Sequence, residues 1–501
     1  MHEPDQEPKR LTHVSKQNQS TSPAVGAAGQ ELQARSGAAS VATTGLMLFA
    51  LFFGAGNLIF PPVLGASAGQ NLPVVMAGFL LTGVLLPLVS LIAVSTSGEG
   101  VLGLANRVGK RFGAVMPAVV YLAIGPLYAI PRVATVSYEL ATKPVLALLG
   151  YAAEEHVLTV FGYLVVDPAL ALHAAVFFAM TLFLAITPSR LADRVGRYLT
   201  PLLLLLIAVL CVAVLLHEPV VERGAEPGFD VSPFATGLTR GYFTMDVLGA
   251  IVFGLVVISA VREQGFTGTR QVVRATSGAA AISALLLGLV YLGLALVGAR
   301  VAGDPGNGTK LLSTAAQTSL GVWGTLVFAG IVLLACVTTA VGLLAAWAGY
   351  ATSVLRLISF ERHVVLGALV SFLLANLGLE LILRIVSPVT LLLYPAAIAL
   401  VVVTILDGVA PGHLRLTYVG ATATASLLGV VSALADVGVT APSSLLARTG
   451  LWNDATGWIL PTLLVAGACL WLDVRAGRWS KPASDMSGVT EQVERAVTGQ
   501  G

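Results

Sequence analysis

An apolar run early in the chain is interrupted by four residues that could bind a ligand. Residues 47–53 are apolar, Gly-Ala-Gly-Asn follows at 54–57, and a Pro-Pro pair lies at 61–62. Glycine weakens a helix, and unwinding a helix in an apolar environment frees backbone N–H and C=O groups that must find partners. The pattern predicts a broken helix whose free backbone groups bind an ion or a small molecule. The alternative is a close contact between helices at Gly54 and Gly56.

A second apolar run, residues 241–261, holds an acidic side chain, Asp246. A charge near the bilayer centre costs about 3 kcal/mol on insertion scales, so it is expected to face a cavity or a partner. Asp246 could contact an ammonium group, bind a cation or carry a proton. The alternative is a structural salt bridge or hydrogen bond across helices, for example to Arg132. Interrupted helices at matching positions of two halves are typical of transporter sites, where helix N-termini attract a carboxylate and C-terminal carbonyls attract an ammonium group or Na⁺. The two interruptions together predict a site for a zwitterion.

A third candidate is a polar helix face. Ala335, Thr338 and Thr339 have the spacing i, i+3, i+4 and therefore share one face. Their carbonyl and hydroxyl oxygens, with the carbonyls of Ala50 and Phe53 before the first break, could bind Na⁺. The alternative is that each threonine bonds only to the backbone of its own helix.

Aromatic side chains flank both interruptions, and the acid at 246 is the only charge beside them. Such apolar walls favour an uncharged aliphatic ligand, since each buried methylene is worth about 0.8 kcal/mol. The aromatic residues concerned are Phe52, Phe53, Phe243 and Phe253.

The third apolar run contains further polar side chains. Tyr128 lies between Pro126 and Pro131, in a stretch expected to be distorted, where its hydroxyl could meet a carboxylate. Arg132 and Glu139 are seven residues apart and so lie near one helix face. We interpret them as fasteners between helices or gate charges first, and as substrate contacts second.

The elements that must position these residues are membrane helices. Of the 501 residues 56% are hydrophobic and only 11% charged, with a mean hydropathy of +0.87, against roughly a quarter charged in a soluble domain. Apolar runs of about 20 residues can cross the hydrocarbon core. We predict twelve spans, at about 42–64, 73–95, 114–140, 169–187, 199–217, 241–261, 276–299, 320–352, 364–381, 385–406, 416–437 and 456–473.

Basic residues orient these spans. With both termini in the cytoplasm, 20 of the 28 Lys and Arg residues lie inside, seven outside and one, Arg132, within a span. The polar segments 1–40 and 481–501 are predicted to be cytoplasmic tails, the first of them disordered.

Other function classes lack support in the sequence. The three cysteines form no metal-binding spacing, the seven histidines are scattered, and no P-loop is present, so neither an enzyme nor direct ATP drive is expected. The net charge of +2 gives no reason to expect a nucleic acid, and no obligate protein partner or organic cofactor is evident. A channel would need a pore lining that these apolar spans do not offer.

Several motifs carry a family resemblance. Residues 45–62, GLMLFALFFGAGNLIFPP, closely resemble the opening segment of the branched-chain amino acid carriers, the bacterial sodium-coupled leucine, isoleucine and valine symporters. Shorter matches follow in the same order at residues 124–132 (IGPLYAIPR), 242–246 (YFTMD), 335–340 (ACVTTA) and 375–379 (ANLGL). The departures are the long N-terminal tail and the loop near residues 154–156, and neither touches the motifs.

The resemblance implies an all-α membrane protein of the bacterial inner membrane with twelve transmembrane helices. Two inverted repeats of five helices are expected at about 41–218 and 240–407, with helices 1 and 6 discontinuous, and two extra helices at about 415–474 complete a transport domain over 41–480. The implied activity is symport of Leu, Ile or Val with Na⁺ by alternating access. The alternative is proton-coupled transport of branched-chain or other small neutral amino acids.

The site predicted on these grounds has two parts. The residues expected to bind the substrate are Gly54, Ala55, Gly56, Asn57, Tyr128, Phe243, Thr244, Asp246 and Phe253. The residues expected to bind Na⁺, preferred over the purely structural interpretation because of the resemblance, are Ala50, Phe53, Ala335, Thr338 and Thr339.

Overall fold

The computed structural model describes residues 23–96, 100–151, 158–160, 164–187, 191–266, 268–301, 308–356, 358–409, 413–450, 452 and 456–479. The chain divides into two compact units between Ser40 and Val41. Of the predicted N-terminal tail, residues 23–40 form the first part of a helix, and residues 1–22 lie outside the described part. The predicted C-terminal tail lies outside it as well. The unit that begins at Val41 holds every candidate site residue.

The described chain is mainly α-helical. Its helices are α1 (Pro23–Phe52), α2 (Ala55–Ser67), α3 (Leu72–Leu80), α4 (Leu86–Thr96), α5 (Val101–Asn106), α6 (Lys110–Leu122), α7 (Ala129–Ser137), α8 (Lys143–Leu148), α9 (Pro168–Ala185), α10 (Thr200–His217), α11 (Pro233–Tyr242), α12 (Asp246–Glu263), α13 (Thr269–Gly298), α14 (Gly308–Leu320), α15 (Val322–Val354), α16 (Phe360–Ala375), α17 (Leu379–Val409), α18 (Arg415–Asp436), α19 (Ala441–Ala447) and α20 (Ile459–Arg475).

Shorter elements join some of these helices. A 3₁₀ turn, Gly69–Asn71, precedes α3, and wider π-helical turns occur at Leu81–Leu85, Ala123–Leu127, Tyr138–Thr142 and Ala192–Leu199. Two three-residue strands, β1 (Leu158–Val160) and β2 (Leu164–Val166), pair antiparallel. This hairpin is an exception to the all-α prediction and lies in a connection between two of the predicted spans.

Most of the predicted spans have counterparts long enough to cross a membrane. Among the described residues, eight helical runs meet this test of length and hydropathy, and two bent helix pairs bring the number to ten if each pair is one span. The remaining two predicted spans correspond to α16 and α20, which have 16 and 17 residues. At 1.5 Å per residue these helices are about 24–26 Å long, somewhat less than a hydrocarbon core of about 30 Å.

Glycines let α2 pack very closely against its neighbours. A β-carbon added at Gly65 would lie 1.8 Å from the Ala295 carbonyl oxygen of α13, and one at Gly298 would lie 2.0 Å from the Pro62 carbonyl oxygen. No side chain fits at such distances, so these two helices approach backbone to backbone. The close packing fixes the position of α2 and of the broken segment that precedes it.

The other half-helix beside a break is held in the same way. A β-carbon at Gly237 of α11 would lie 2.0 Å from the Val75 carbonyl oxygen of α3, and one at Gly78 would lie 2.3 Å from the Phe234 carbonyl oxygen. The positions of α2 and α11 are therefore fixed by close packing. The chain changes direction in the short segments between α1 and α2 and between α11 and α12.

Candidate functional site at two broken helices

The first predicted interruption is a break in the structure. Helix α1 ends at Phe52, α2 begins at Ala55, and the two axes differ by 74°. Gly54 is extended, with φ −94° and ψ 179°. Its N–H donates to the Phe52 carbonyl at 2.8 Å, and its own carbonyl accepts from the Asn57 N–H at 3.1 Å. The break therefore occupies Phe53 and Gly54, so that only the first residue of the Gly-Ala-Gly-Asn pattern lies in it, and the other three form the first turn of α2.

The second predicted interruption is also a break. Helix α11 ends at Tyr242, α12 begins at Asp246, and the bend is 43°. Met245, between them, has φ 58° and ψ 22° and is the one non-glycine residue of the described chain with a positive φ. Such a left-handed residue costs about 1–2 kcal/mol. The Thr244 hydroxyl donates to the Gly241 carbonyl at 2.9 Å, in addition to the backbone N–H of Thr244 at 3.3 Å, and so strengthens the end of α11.

A buried amide joins the two breaks. The Asn57 side-chain amide donates to the Asp246 carboxylate at 3.0 Å and to the Phe52 carbonyl at 2.7 Å. Asn57 is only 3% exposed. The end of α1, the start of α2 and the start of α12 therefore meet at one polar point. The structural alternative for Asp246, a bond across helices, is therefore present with Asn57 as the partner, whereas no hydrogen bond or ion pair joins the described residues Asp246 and Arg132.

Two tyrosine hydroxyls that no sequence pattern indicated also lie near Asp246. Tyr291 of α13 and Tyr394 of α17 are at most 1% exposed, and both are close enough to Asp246 to interact with it electrostatically. Their hydroxyls approach the Asn57 amide and the Val247 backbone, respectively, without the geometry of a hydrogen bond. Leaving a buried hydroxyl unpaired costs about 1–3 kcal/mol, so both are available to a ligand or a water.

The threonine face of α15 contacts the last turn of α1. The Thr338 hydroxyl lies 3.0 Å from the Ala50 carbonyl oxygen, 2.9 Å from that of Leu334 and 3.2 Å from that of Ala335. Its single proton can serve only one of these oxygens at a time. The contacts with Leu334 and Ala335 belong to its own helix, as the structural alternative required, while the contact with Ala50 joins two helices.

The neighbouring Thr339 faces the break itself. Its hydroxyl donates to the Leu51 carbonyl at 3.3 Å, and a β-carbon added at Gly54 would lie 3.1 Å from its Oγ1. Leu51, which was not predicted, therefore offers a carbonyl here. The ring of Phe53 stacks on Phe49 with centroids 5.3 Å apart. Neutral hydroxyl and carbonyl oxygens gathered in this way suit a hard monovalent cation such as Na⁺.

A distorted part of the third span lies beside α2. Gly125 and Tyr128 have non-helical backbone angles, as the two prolines around Tyr128 led us to expect. Arg132 donates to the Tyr128 hydroxyl at 2.9 Å, and its guanidinium carbon lies 5.6 Å from the ring centroid. A β-carbon at Gly56 would lie 3.9 Å from Nη2 of Arg132, with no other neighbour within 4 Å. Gly56 is therefore not a close helix contact.

Only some of the predicted aromatic walls come together. The rings of Phe52 and Phe253 meet edge to face with centroids 5.5 Å apart, and a β-carbon added at Gly249 would lie 3.5 Å from Phe253 and 3.7 Å from Phe52. Phe243 packs instead on Tyr242. Of the predicted substrate residues, Ala55 contributes the backbone at the start of α2, and its side chain lies outside the described part of the structure.

The architecture resembles that of a known membrane transporter. Mhp1, a nucleobase-cation-symport-1 family transporter solved in a closed conformation with bromovinylhydantoin bound, matches with a TM-score of 0.50 and 15% identity, over 87% of this chain and 93% of its own. At this level of identity the likeness concerns the fold alone.

Sequence relatives are closer. The branched-chain amino acid permease BrnQ of Corynebacterium glutamicum is 38% identical over 456 residues, which cover 91% of this chain and 99% of that protein. The branched-chain amino acid transport system 2 carrier protein of Pseudomonas aeruginosa is 37% identical over 433 residues, 85% of this chain and 94% of that protein.

The sequence model of one protein family, described as branched-chain amino acid transport protein, matches residues 38–475. This match and the apolar helices make the chain a multi-pass membrane protein. They also confirm the resemblance read from the motifs and the prediction that the chain is a transporter and not an enzyme. The protein belongs to the branched-chain amino acid transport protein family.

Proposed function

We propose that this protein is a secondary symporter that imports leucine, isoleucine and valine with Na⁺ across the bacterial inner membrane. The observation that carries the proposal is the Asn57–Asp246 hydrogen bond, which brings two broken helices to one half-buried polar point. The names of the relatives support the substrate class, and both termini are placed in the cytoplasm on the distribution of basic residues.

The polar point suits the two charges of an amino acid. The Asp246 carboxylate would bind the ammonium group of the substrate, with the buried hydroxyls of Tyr291 and Tyr394 beside it. The N-terminus of α2 carries free backbone N–H groups and the positive end of a helix dipole, which attract a carboxylate. One molecule can satisfy both sets of groups at once, as a zwitterion does.

The aliphatic side chain of the substrate would lie against Phe52, Phe253 and the bare backbone of Gly249. At about 0.8 kcal/mol per buried methylene, leucine would gain about 2 kcal/mol over alanine in such a pocket. The three branched-chain residues differ by one methylene or by its position, so they would be poorly separated from one another.

We assign the coupling ion to the oxygens of Thr338, Thr339, Ala50 and Ala335, with the carbonyl of Phe53 or Leu51 completing the set. The close approach of Thr338 to Ala50 supports this assignment, because it would let the ion join α15 to the broken helix. One Na⁺ crossing 100 mV yields about 2.3 kcal/mol, and a tenfold gradient adds about 1.4 kcal/mol. Proton coupling through Asp246 is the second candidate, supported by a carboxylate that bonds to the Asn57 amide and forms no ion pair among the described residues.

The finer architecture is part of the proposal. We place the chain in a fold of two inverted five-helix repeats followed by two further helices, with α16 and α20 counted as the ninth and twelfth spans. The breaks in the first and sixth spans occupy equivalent positions in such an arrangement, and the fold likeness to Mhp1 supports it.

Uptake into proteoliposomes tests the ion. Radiolabelled leucine is offered under an inward Na⁺ gradient, an inward H⁺ gradient or neither, with the membrane potential set in each case by K⁺ and valinomycin. We expect accumulation with the Na⁺ gradient alone. Accumulation with the H⁺ gradient in Na⁺-free buffer would identify H⁺ and not Na⁺ as the coupling ion. The absence of leucine uptake under all three conditions would overturn the proposed function.

A further inference from the structure

We infer that Arg132 binds the carboxylate of the substrate and is neither a fastener between helices nor a gate charge. The inference rests on the proposed function and deepens it, because it names the side chain that would make the site require a free carboxylate.

The position of Arg132 is the first reason. Its guanidinium points at the N-terminal turn of α2, where Nη2 would lie 3.9 Å from a β-carbon built on Gly56. Because position 56 is glycine, the space between this guanidinium and the backbone of α2 holds no side chain of its own. A carboxylate placed there would meet a fixed positive charge and the free N–H groups of a helix N-terminus together.

The second reason is that Arg132 has no acidic partner within the described residues. Glu139, the acid nearest to it along its own span, pairs with Lys143 at 3.3 Å. Asp246, the other acid expected near it, is bonded to Asn57. A half-buried guanidinium inside a membrane span is costly without an anion, so its counter-charge must come from a bound group.

Among the described residues, the hydrogen bond of the guanidinium does not fasten one helix to another. The Tyr128 hydroxyl that accepts from Arg132 lies four residues earlier in the same span, so the bond joins no two helices. The ring of Tyr128 also lies against the guanidinium, which fixes the direction in which the side chain points. Tyr128 is thus a positioning residue for Arg132.

The spacing of the two charges is the third reason. Arg132 approaches Gly56 and Asp246 is bonded to Asn57, and the Cα atoms of these consecutive residues are about 3.8 Å apart. A positive and a negative group therefore flank one short stretch of α2 without touching each other. An α-amino acid carries its carboxylate and ammonium on a single carbon, and so it can bridge them in one orientation.

The test compares L-leucine with L-leucinamide, which keeps the ammonium and the side chain and lacks the carboxylate. Equilibrium binding of each is measured on the purified full-length protein for the native sequence, Arg132→Gln and Arg132→Lys. The control is Arg300→Gln, since Arg300 is a partly exposed arginine just after α13 that bonds to the Leu296 carbonyl in the last turn of that helix. Thermal melting without ligand checks that each variant is folded.

For the native protein and the Arg300 variant we expect leucine to bind at least about 30-fold more tightly than leucinamide. Arg132→Gln should weaken the binding of leucine by about that factor and leave the binding of leucinamide unchanged or tighter, so that the preference for leucine disappears. Arg132→Lys, which keeps a point charge without the planar fork, should retain part of the preference.

The inference would be overturned if Arg132→Gln kept the native preference for leucine. It would also be overturned if Arg132→Gln and Arg132→Lys each lost affinity equally for leucine and leucinamide. Either result would leave the proposed function intact. Failure of the native protein to bind leucine would overturn both.

Discussion

Asn57 in the first turn of α2 donates a 3.0 Å hydrogen bond to Asp246, the first residue of α12, and the two residues are 189 positions apart in the chain. The same amide nitrogen lies 2.7 Å from the Phe52 carbonyl at the end of α1. A single side chain at the start of α2 therefore bonds to groups at two other helix ends. In a membrane, where no water is at hand for such groups, this linkage holds both breaks open in one geometry.

Removing the linking amide should weaken transport. Asn57→Ala deletes a hydrogen bond to a charged group, a loss of about 1.5–3 kcal/mol, and should lower the initial rate of leucine uptake about tenfold or more at subsaturating leucine. Asn376→Ala is the control, because the Asn376 amide bonds to the Phe372 carbonyl of its own helix. Equal effects of the two substitutions would argue against the linkage.

The two linked side chains should also be energetically coupled. Asp246→Asn keeps the shape of the side chain but removes the charge proposed for the substrate ammonium, so uptake should fall by about 30-fold or more. The double variant with Asn57→Ala should lose much less than the product of the two single losses, since the shared interaction is removed only once. Losses that simply multiply would mean that the two side chains act independently.

Loss of the Thr338 hydroxyl should act on the ion and spare the fold. Thr338→Val removes an oxygen that contacts the Ala50 carbonyl across two helices, and we expect the Na⁺ concentration for half-maximal uptake to rise about tenfold, roughly 1.4 kcal/mol. Thr181→Val is the matched control, because that buried threonine bonds only to the Phe177 carbonyl of its own helix. An unchanged Na⁺ dependence of uptake in Thr338→Val would show that the cation does not bind at this face of α15.

Filling the bare surface at Gly249 should change the preference for substrate size. A single methyl fits there, 3.5 Å from Phe253, whereas the branched side chain of Gly249→Val would enter the space between the two rings. Leucine uptake should fall relative to alanine uptake, by about 0.8 kcal/mol for each methylene displaced. Gly288→Val is the control, since a β-carbon at Gly288 meets no atom within 4 Å. A ratio of leucine to alanine uptake that stays constant would place the side chain of the substrate elsewhere.

The close packing of α2 on α13 can be tested by measuring stability alone. Gly298→Ala would place a methyl group 2.0 Å from the Pro62 carbonyl oxygen, so the helices must separate, at a cost of about 1–3 kcal/mol. The melting temperature of the purified protein in detergent should fall by several degrees. Gly288→Ala should leave it unchanged, and equal melting temperatures for the two variants would contradict the close packing of α2 on α13.

The location of the breaks could be predicted from the sequence because glycine next to an amide, and an acid inside an apolar run, are unfavourable in an ordinary membrane helix. The same reasoning predicted that Ala335, Thr338 and Thr339 share one helix face, since the i, i+3, i+4 spacing fixes it once α15 is helical. In both cases the signal is local, within one turn or two of the chain.

The contacts that could not be predicted join distant segments. Tyr291 and Tyr394 sit in apolar runs without any local pattern, and only the fold brings them to Asp246. The partner that Asp246 has across helices is Asn57 and not Arg132, which the sequence alternative had named, because the fold brings the start of α2 to the start of α12. The use of Leu51 by Thr339 reflects the local geometry of the break, which spacing along a regular helix does not describe.

The most direct measurement of the central claim is counterflow in proteoliposomes. Vesicles loaded with unlabelled leucine and diluted into a trace of radiolabelled leucine should accumulate label transiently above equilibrium, in the presence of Na⁺. External isoleucine or valine should abolish the accumulation, alanine should have little effect, and Asp246→Asn should show none. Full counterflow by Asp246→Asn, or no accumulation of label by the native protein, would contradict a substrate site at the junction of the two broken helices.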